Sequence, residues 1–315
     1  MPGIVVRMIP QRKIITVGTV AVVLATAALY AGFCPRGYAA EVPPLTTPAS
    51  NDRLVGKFIW VDLETTDLPG ARRFYHALFG WEYRDYRAYG VDYTVAMVGG
   101  NPVAGLLRQP VVRDSERHSV WLPFFSVANV RATFELAGKA HAGVRSAPQS
   151  LPQRGTEARL TDPEGAMFAL LTSSSGDPAD DPNPRALGTW GSPSLLARDP
   201  GREAVFYQGL FQYAVLGEPA SAGFERVRLS SGSYERADIR PLPGSMSAMP
   251  AQWVSFIRVF SVADTSQQAV SLGGRIVVAE ARASRGASSV ILADPSGAVF
   301  GIVELPPEVA QRNLP

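Results

Sequence analysis

The sequence predicts an α+β fold of four strand–helix–strand–strand–strand modules. They fall two by two into the copies of a tandem repeat. Three observations predict it. The stretch 162-DPEGAMFALL-171 returns as 294-DPSGAVFGIV-303, an offset of 294 − 162 = 132 residues. The stretch 67-DLPGARRFYHALFGW-81 returns as 199-DPGREAVFYQGLFQY-213 at the same offset, 199 − 67 = 132, and Trp121 returns as Trp253. Three matches at one spacing mark an internal duplication. Within each copy, a strand pattern followed by a helix pattern occurs twice.

The first 40 residues differ in kind from the rest. Arg7, Arg12 and Lys13 precede 14-IITVGTVAVVLATAALYAGF-33, a run of 33 − 14 + 1 = 20 residues without charge. As a helix that run is long enough for a bilayer core of about 30 Å, and the basic flank keeps the N-terminus cytoplasmic. Small residues in 37-GYAA-40 suit a signal peptidase. Residues 1–40 are therefore expected to be a signal peptide or an N-terminal membrane anchor. Either way the remainder is exported to a periplasmic or other extracytoplasmic space, held at the inner membrane by residues 14–33 if the segment is uncleaved. Cys34 is the single cysteine. It excludes an internal disulfide and a Cys-based metal site, and the Phe33 before it departs from the lipobox of lipoproteins.

A linker over 41–55 leads into a first domain over 56–172. There 57-KFIWVDLE-64 reads as a strand, Asp67 as a helix cap and Pro69 as a first-turn residue. Phe74, Leu78 and Trp81 recur at helical spacing and mark the buried face. Strands follow around 91–98 and 103–108. The second half repeats the plan with a strand at 119–127, a helix from about 129 to 142 and strands around 156–160 and 166–172. Between the last two, Asp162, Pro163 and Gly165 carry the signature of a type I turn, which assigns DPEG to turn making rather than acid–base chemistry. A polar linker rich in Pro and Asp covers 173–187. A second domain is expected over 188–305, then a tail over 306–315.

Composition excludes several functions. Apolar residues make up 46% of the chain, enough for a sizeable core. Thirty Lys and Arg against 28 Asp and Glu give +2, with no basic run after the N-terminal segment, so no nucleic-acid partner is expected. No G-x-S-x-G, C-x-x-C, H-E-x-x-H, Walker loop or G-x-G-x-x-G occurs, and no catalytic residue is assigned.

The helix element 66-TDLPGARRFYHALFGW-81, followed by the DP-x-G turn, resembles the glyoxalase, bleomycin-resistance and extradiol-dioxygenase superfamily, the vicinal oxygen chelate proteins. The resemblance covers about 56–172 and 188–304. It implies that the βαβββ modules pair, each pair forming a curled mixed sheet around a cleft with the helices outside, and commonly a divalent metal chelating neighbouring substrate oxygens there. The positions where such proteins carry His or Glu ligands are Trp60, Leu122 and Ala169 here, with Ser192, Ile257 and Gly301 as their counterparts in the second copy. None offers imidazole or carboxylate, which such sites require. No metal and no cofactor are therefore expected. His76, His118 and His141 read as surface residues.

Strand alternation suggests what lines the first cleft instead. Phe58, Trp60 and Asp62 share one face of the first strand, and Ile59, Val61 and Leu63 the face that the helix covers. Trp60, Asp62, Leu122, Phe124 and Met167, with Ala169, then line an apolar, aromatic cleft, either a small-molecule site or core that closes the cleft. Tyr83, Tyr86, Tyr89 and Tyr93, with Arg84 and Arg87, form either a polar lip or an edge strand. The expected function is an exported glyoxalase-like protein without the usual metal ligands that binds a small organic molecule. Whether it is an enzyme is left open. The alternatives are a metal-dependent lyase, isomerase or dioxygenase with unplaced ligands, and an extracytoplasmic interaction module.

Overall fold

The computed structural model describes residues 42–88, 91–109, 119–181, 186–218, 226–279 and 288–305. All lie in the compact unit Ala39–Pro315. The expected signal peptide or anchor over 1–40 and the tail over 306–315 lie outside the described residues. Among the described residues no helix is long and apolar enough to cross a membrane.

The chain is α+β with mixed sheets. Its first half runs β1 (Phe58–Thr65), α1 (Leu68–Phe79), β2 (Glu82–Ala88), β3 (Val91–Val98), β4 (Asn101–Arg108), β5 (Val120–Ser126), α2 (Val130–Lys139), β6 (Gly143–Leu151), β7 (Gly155–Thr161) and β8 (Met167–Ser173). These strands form one sheet in the order β2-β3-β4-β1-β5-β8-β7-β6. β1 lies parallel to β4 and antiparallel to β5, and β5 lies parallel to β8.

The second half runs β9 (Ser194–Ala197), α3 (Pro200–Phe211), β10 (Ala214–Glu218), β11 (Arg226–Ser231), β12 (Tyr234–Pro241), β13 (Gln252–Val254), β14 (Phe256–Val259), α4 (Val262–Ser271), β15 (Arg275–Val278), β16 (Ser289–Ala293) and β17 (Val299–Glu304). The order is β10-β11-β12-β9-β13 in one sheet and β14-β17-β16-β15 in another. The strand corresponding to β5 is interrupted at Ser255. Its carbonyl still accepts from Gly301 N at 2.9 Å, joining the two sheets.

Local chemistry explains the helices. Asp67 accepts from Gly70 N at 3.0 Å and Asp199 from Arg202 N at 3.0 Å, so each helix starts where a short carboxylate satisfies an orphan amide. Asn129 and Ser261 cap α2 and α4 in the same way. Gly80, at φ 70°, ends α1 in the left-handed region.

The helices lie on the face away from each cleft, yet that face is no outer surface. Val61, Leu63, Phe74, Tyr75 and Trp81 of the first half share one core with Ile257, Val290, Leu292 and Phe300 of the second. Phe125, Leu160 and Phe168 likewise share a core with Phe206, Tyr207, Phe211 and Trp253. The helices are therefore wedged between the two halves.

The repeated DP-x-G motifs seal this wedge. Gly165 N donates to Asp162 O at 3.0 Å and Gly297 N to Asp294 O at 2.9 Å, and both glycines have φ 93°. Each motif is thus a tight turn whose exit favours glycine. Each turn aspartate is also buried against the other half. Tyr207 Oη donates to Asp162 Oδ2 at 3.0 Å, and Trp253 Nε1 donates to that Oη at 2.8 Å. The mirror relay runs Trp121 Nε1 to Tyr75 Oη at 2.8 Å and Tyr75 Oη to Asp294 Oδ2 at 3.1 Å. Burial raises both carboxyls above the ordinary aspartate range, although the bonds they accept oppose it. Glu164 adds to the clasp by accepting from Arg198 N at 2.6 Å and Asp199 N at 2.7 Å, at the entry to α3.

Candidate functional site

The first cleft is built on the face of the eight-stranded sheet away from the helices. Trp60 (β1), Tyr86 (β2), Tyr93, Val95 and Met97 (β3), Leu122 and Phe124 (β5), and Ala169 and Leu171 (β8) form one apolar cluster, with Met167 packed against it. Trp60, Leu122, Phe124 and Met167 are thus brought together, and Asp62 joins them from the same strand as Trp60. Ile59 departs from simple alternation. The register between β1 and β5 shifts between Phe58 and Trp60, so Ile59 faces the cleft with Trp60 while Phe58 turns to the helix side. A bulge of this kind exchanges the faces on one side of it. The tyrosines divide as well: Tyr86 and Tyr93 face the cleft, and Tyr83 lies on the helix side under the Arg72 guanidinium. Tyr89 and His118 are outside the described residues.

Polar groups sit in the floor. Asp62, 3% exposed, accepts from Trp60 Nε1 at 2.8 Å and Tyr93 Oη at 2.6 Å. Gly105 lies opposite Asp62 in β4, where a Cβ would overlap both Tyr93 Oη and Asp62 Oδ1, so glycine makes the bond geometrically possible. Burial, and then the nearby Asp62 charge, raise the Tyr93 hydroxyl well above the usual phenol range. That keeps it a neutral donor.

Sequence reasoning passed over the central cation. Arg159 of β7 pairs with Ala169, whose small side chain leaves room above it. Its guanidinium reaches Glu64 at 2.5 Å, Glu157 at 3.1 Å and Asp62 at 3.5 Å, and lies 5.8 Å from the Phe124 ring centroid. Gln109 Nε2 completes the set with a bond to Glu64 at 2.5 Å. One guanidinium thus engages three carboxylates over an aromatic floor. The signal was available: in 156-TEARL-160, Glu157 and Arg159 alternate with Ala158 and Leu160, which places both charges on the cleft face. No group of three or more His, Cys, Asp or Glu suited to hold a metal ion occurs among the described residues.

The chain itself roofs this cleft. Val42 is buried in the cluster and Leu45 packs on it. Arg154 stacks over Trp60 at 3.9 Å from the ring centroid and donates to Pro43 O at 3.3 Å. Thr46 N bonds Ser175 Oγ at 3.1 Å, and Ser50 Oγ bonds Asp177 O at 2.8 Å. From Val42 on, the stretch read as a linker over 41–55 is therefore a strap across the cleft, and Trp60 beneath it is only 6% exposed.

The second cleft differs. Leu196, Val254, Phe256, Ile291, Ala293 and Val299 line its floor. Counting from Ser261, the residue that caps α4, the counterpart of Leu122 is Val254, on the cleft side. Ile257, taken as that counterpart from the sequence, lies among the helices instead, and the 132-residue offset from Leu122 also gives 122 + 132 = 254. Gly301 faces the Phe256 ring, where a Cβ would clash. Ser192 precedes β9 and is exposed. On the other side of this cleft, Asp238 accepts from Arg226 Nε at 2.6 Å and Arg240 Nη2 at 2.7 Å. His76 and His141 are exposed, and His76 Nδ1 lies 2.8 Å from Trp81 O.

Residues 57–170 match the family described as Glyoxalase/Bleomycin resistance protein/Dioxygenase superfamily. A Mycobacterium tuberculosis protein named as a glyoxylase, CFP32, is 26% identical over 253 residues, covering 79% of this chain and 95% of that protein. The anthracycline biosynthesis protein DauV of Streptomyces sp. (strain C5) is 26% identical over 261 residues, covering 78% and 92%. Among solved structures, the Mn(II)-bound glyoxalase from Novosphingobium aromaticivorans aligns with TM-score 0.54 at 18% identity, over 80% of this chain and 83% of that one. An extradiol ring-cleaving dioxygenase from B. fuscum aligns with TM-score 0.54 at 11% identity, over 87% and 78%. Identities this low establish a shared fold, not a shared reaction.

Proposed function

We propose that this chain, whose residues 57–170 match the Glyoxalase/Bleomycin resistance protein/Dioxygenase superfamily, is an exported, metal-independent binding protein. Its first cleft takes a small aromatic molecule, and Arg159 supplies the fixed positive charge that a metal supplies in other members. One observation carries this reading: the Arg159 guanidinium bridges Glu64, Glu157 and Asp62 over Phe124. A divalent ion at this position needs those carboxylates as ligands, and the guanidinium already engages them. Ala169 makes room for it. The trade is physically reasonable, since a planar cation satisfies several carboxylates by directed hydrogen bonds without the dehydration a divalent ion demands.

An aromatic ligand suits Trp60 and Phe124 as stacking surfaces and Tyr93 as a neutral donor. The Streptomyces relatives bear names in anthracycline biosynthesis, a polycyclic aromatic class, which supports the same choice. The ligand would have to displace Val42 and Leu45 from the cleft. The architecture behind this reading is four βαβββ modules derived by duplication, of which the first pair retains the binding role. Catalysis is not part of it, because no described residue of the cleft combines a free base or nucleophile with an open approach.

The test is a titration of dihydroxyanthraquinone into the purified chain, followed by thermal melting, with elemental analysis of the same sample. The ligand should raise the melting temperature by mass action, with or without EDTA. Trp60→Ala and Arg159→Leu should each abolish the rise. A stoichiometric divalent metal, lost on chelation together with stability, would overturn the proposal and favour the metal-dependent enzyme.

A further inference from the structure

A further cavity lies where the connection between the two halves meets the start of β1, β12 and β14. Its volume is about 390 Å³, and Phe58, Trp190 and Tyr234 contribute aromatic surface to it. That is the small end of the range for small-molecule sites, suited to a one- or two-ring compound.

The wall carries three cations, Lys57, Arg236 and Arg258, and three acids, Asp180, Asp181 and Glu235. These are not matched pairs. Asp180 serves two cations at once, with Lys57 Nζ at 2.9 Å and the Arg236 guanidinium at 2.6 and 3.0 Å. Its carboxyl is held below the ordinary range: burial raises it, and the Arg236 and Lys57 bonds outweigh that. Glu235 is committed to Arg226, 2.5 Å away, which is outside the cavity lining. Arg258 makes no ion pair among the described residues. Its Nη1 donates to Thr189 Oγ1 at 3.0 Å and to the Trp190 carbonyl, both neutral acceptors. Its Nε and Nη2 form no hydrogen bond among the described residues. Arg236 Nε is also unpartnered among them, on a side chain only 8% exposed.

A largely buried guanidinium without a carboxylate is an unbalanced charge in a poorly solvated place. Burial pushes the Arg258 pKa down to about 10, only partly opposed by the Asp181 charge, and burial likewise lowers Lys57 against the pull of Asp180. The cavity thus holds a guanidinium to which no carboxylate is bonded among the described residues. An anion that brings its own apolar body would supply one and cover Trp190 and Phe58.

We propose that this junction cavity binds a small aromatic carboxylate, its carboxylate taken by Arg258 and its ring laid against Trp190, Phe58 and Tyr234. The carboxylate suits the free edge of the guanidinium, which can donate two parallel hydrogen bonds. The site is independent of the first cleft, since its lining includes none of Trp60, Asp62, Leu122, Phe124, Met167 or Arg159.

Isothermal titration of benzoate into the full chain tests this. Saturable binding with one site per chain is expected. Arg258→Gln should weaken it about tenfold or more, the loss expected for a charged hydrogen-bonded pair. Because Arg258 also holds Thr189 and Trp190, a second variant is needed. Ser192→Glu alters only an exposed lining residue and should weaken benzoate similarly by repulsion, with the fold checked by circular dichroism. Trp60→Ala should leave the affinity unchanged. Inorganic phosphate and cyclohexanecarboxylate should bind more weakly than benzoate. No saturable binding up to about 10 mM, equal affinity for phosphate, or binding lost in Trp60→Ala and kept in Ser192→Glu would each overturn the assignment.

Discussion

Replacing Glu203 with glutamine should make this protein more stable at alkaline pH. Glu203 is in α3 and fully buried, and the partner of its carboxyl is the Asp162 carboxylate, a pair that bonds only when one of the two holds a proton. The groups that act on it are Asp162 and Glu164 from the β7–β8 turn, Arg202 from its own helix and Tyr207 through the shared Asp162. Burial, and then the Asp162 charge, push its carboxyl from the ordinary 4.5 up to about 8. The folded chain therefore holds a proton that the unfolded chain releases above pH 4.5. Stability from this source is complete below the unfolded value and is lost as pH rises through about 8. The gap between 4.5 and about 8 corresponds to about 5 kcal/mol at most. Asp162 is displaced in the same direction and shares the proton, so about 2 kcal/mol is the expected gain for Glu203→Gln at pH 9. At this chain length that is roughly 4 °C in melting temperature. Melting curves of both proteins from pH 5 to pH 9 measure it. The wild type should decline across this window, the variant should decline less, and the two should cross. A residual slope is expected from Asp162 and Asp294, both raised by burial. Parallel curves would show that Glu203 is ionised or solvated in the folded chain and would refute the reasoning.

Two further perturbations probe the seam between the halves. Tyr207→Phe deprives Trp253 Nε1 and Asp162 of a common partner and should cost about 1–3 kcal/mol in urea unfolding, with a similar loss for Tyr75→Phe in the mirror relay. Losses below about 0.5 kcal/mol in both would mean that water replaces the hydroxyls and the relays do not hold the halves. Gly165→Val places a β-branched residue at φ 93° and should lower stability by roughly 1 kcal/mol or more. An unchanged melting temperature would show that the turn exit relaxes without strain.

Much of the architecture was legible because it rests on local chemistry repeated in sequence. Asp67 and Asp199 cap helices, Gly165 and Gly297 leave turns, and the 132-residue offset relates Tyr75 to Tyr207 and Trp121 to Trp253. What was not legible depends on contacts across the sheet or on irregular backbone. β6 carries Pro148 and is largely exposed, so it lacks the apolar alternation that marks a strand. The register shift before Trp60 exchanges which neighbours face the cleft, and it has no sequence signature. The strap is invisible for a different reason: Val42 and Leu45 are ordinary residues in a Pro-rich stretch, and only the folded first half gives them a surface. The Arg159 cluster joins Arg159 to Glu64, 95 residues away in sequence, a pairing that only the folded sheet brings together.

The duplicated turn then has a reason to exist twice. Each half has one sheet face toward a cleft and one toward its helices, and neither helix face is covered unless the halves meet. Asp162 and Asp294 stand at corresponding ends of that contact, each receiving a tyrosine hydroxyl from the opposite half. A mutation in one turn therefore disturbs the packing of the other half rather than its own cleft, which is why an acidic residue beside an apolar strand is retained in both copies without lining either cleft. The asymmetry lies in what surrounds them. The position that corresponds to Glu203 in the first half is Ala71, since 203 − 132 = 71, and it carries no carboxyl. Only one of the two seams carries a second buried carboxyl, so the halves need not loosen together. Alkaline pH should open the Asp162 seam first and leave the Asp294 seam, with its single carboxyl and Ser296 bonds, closed over a wider range.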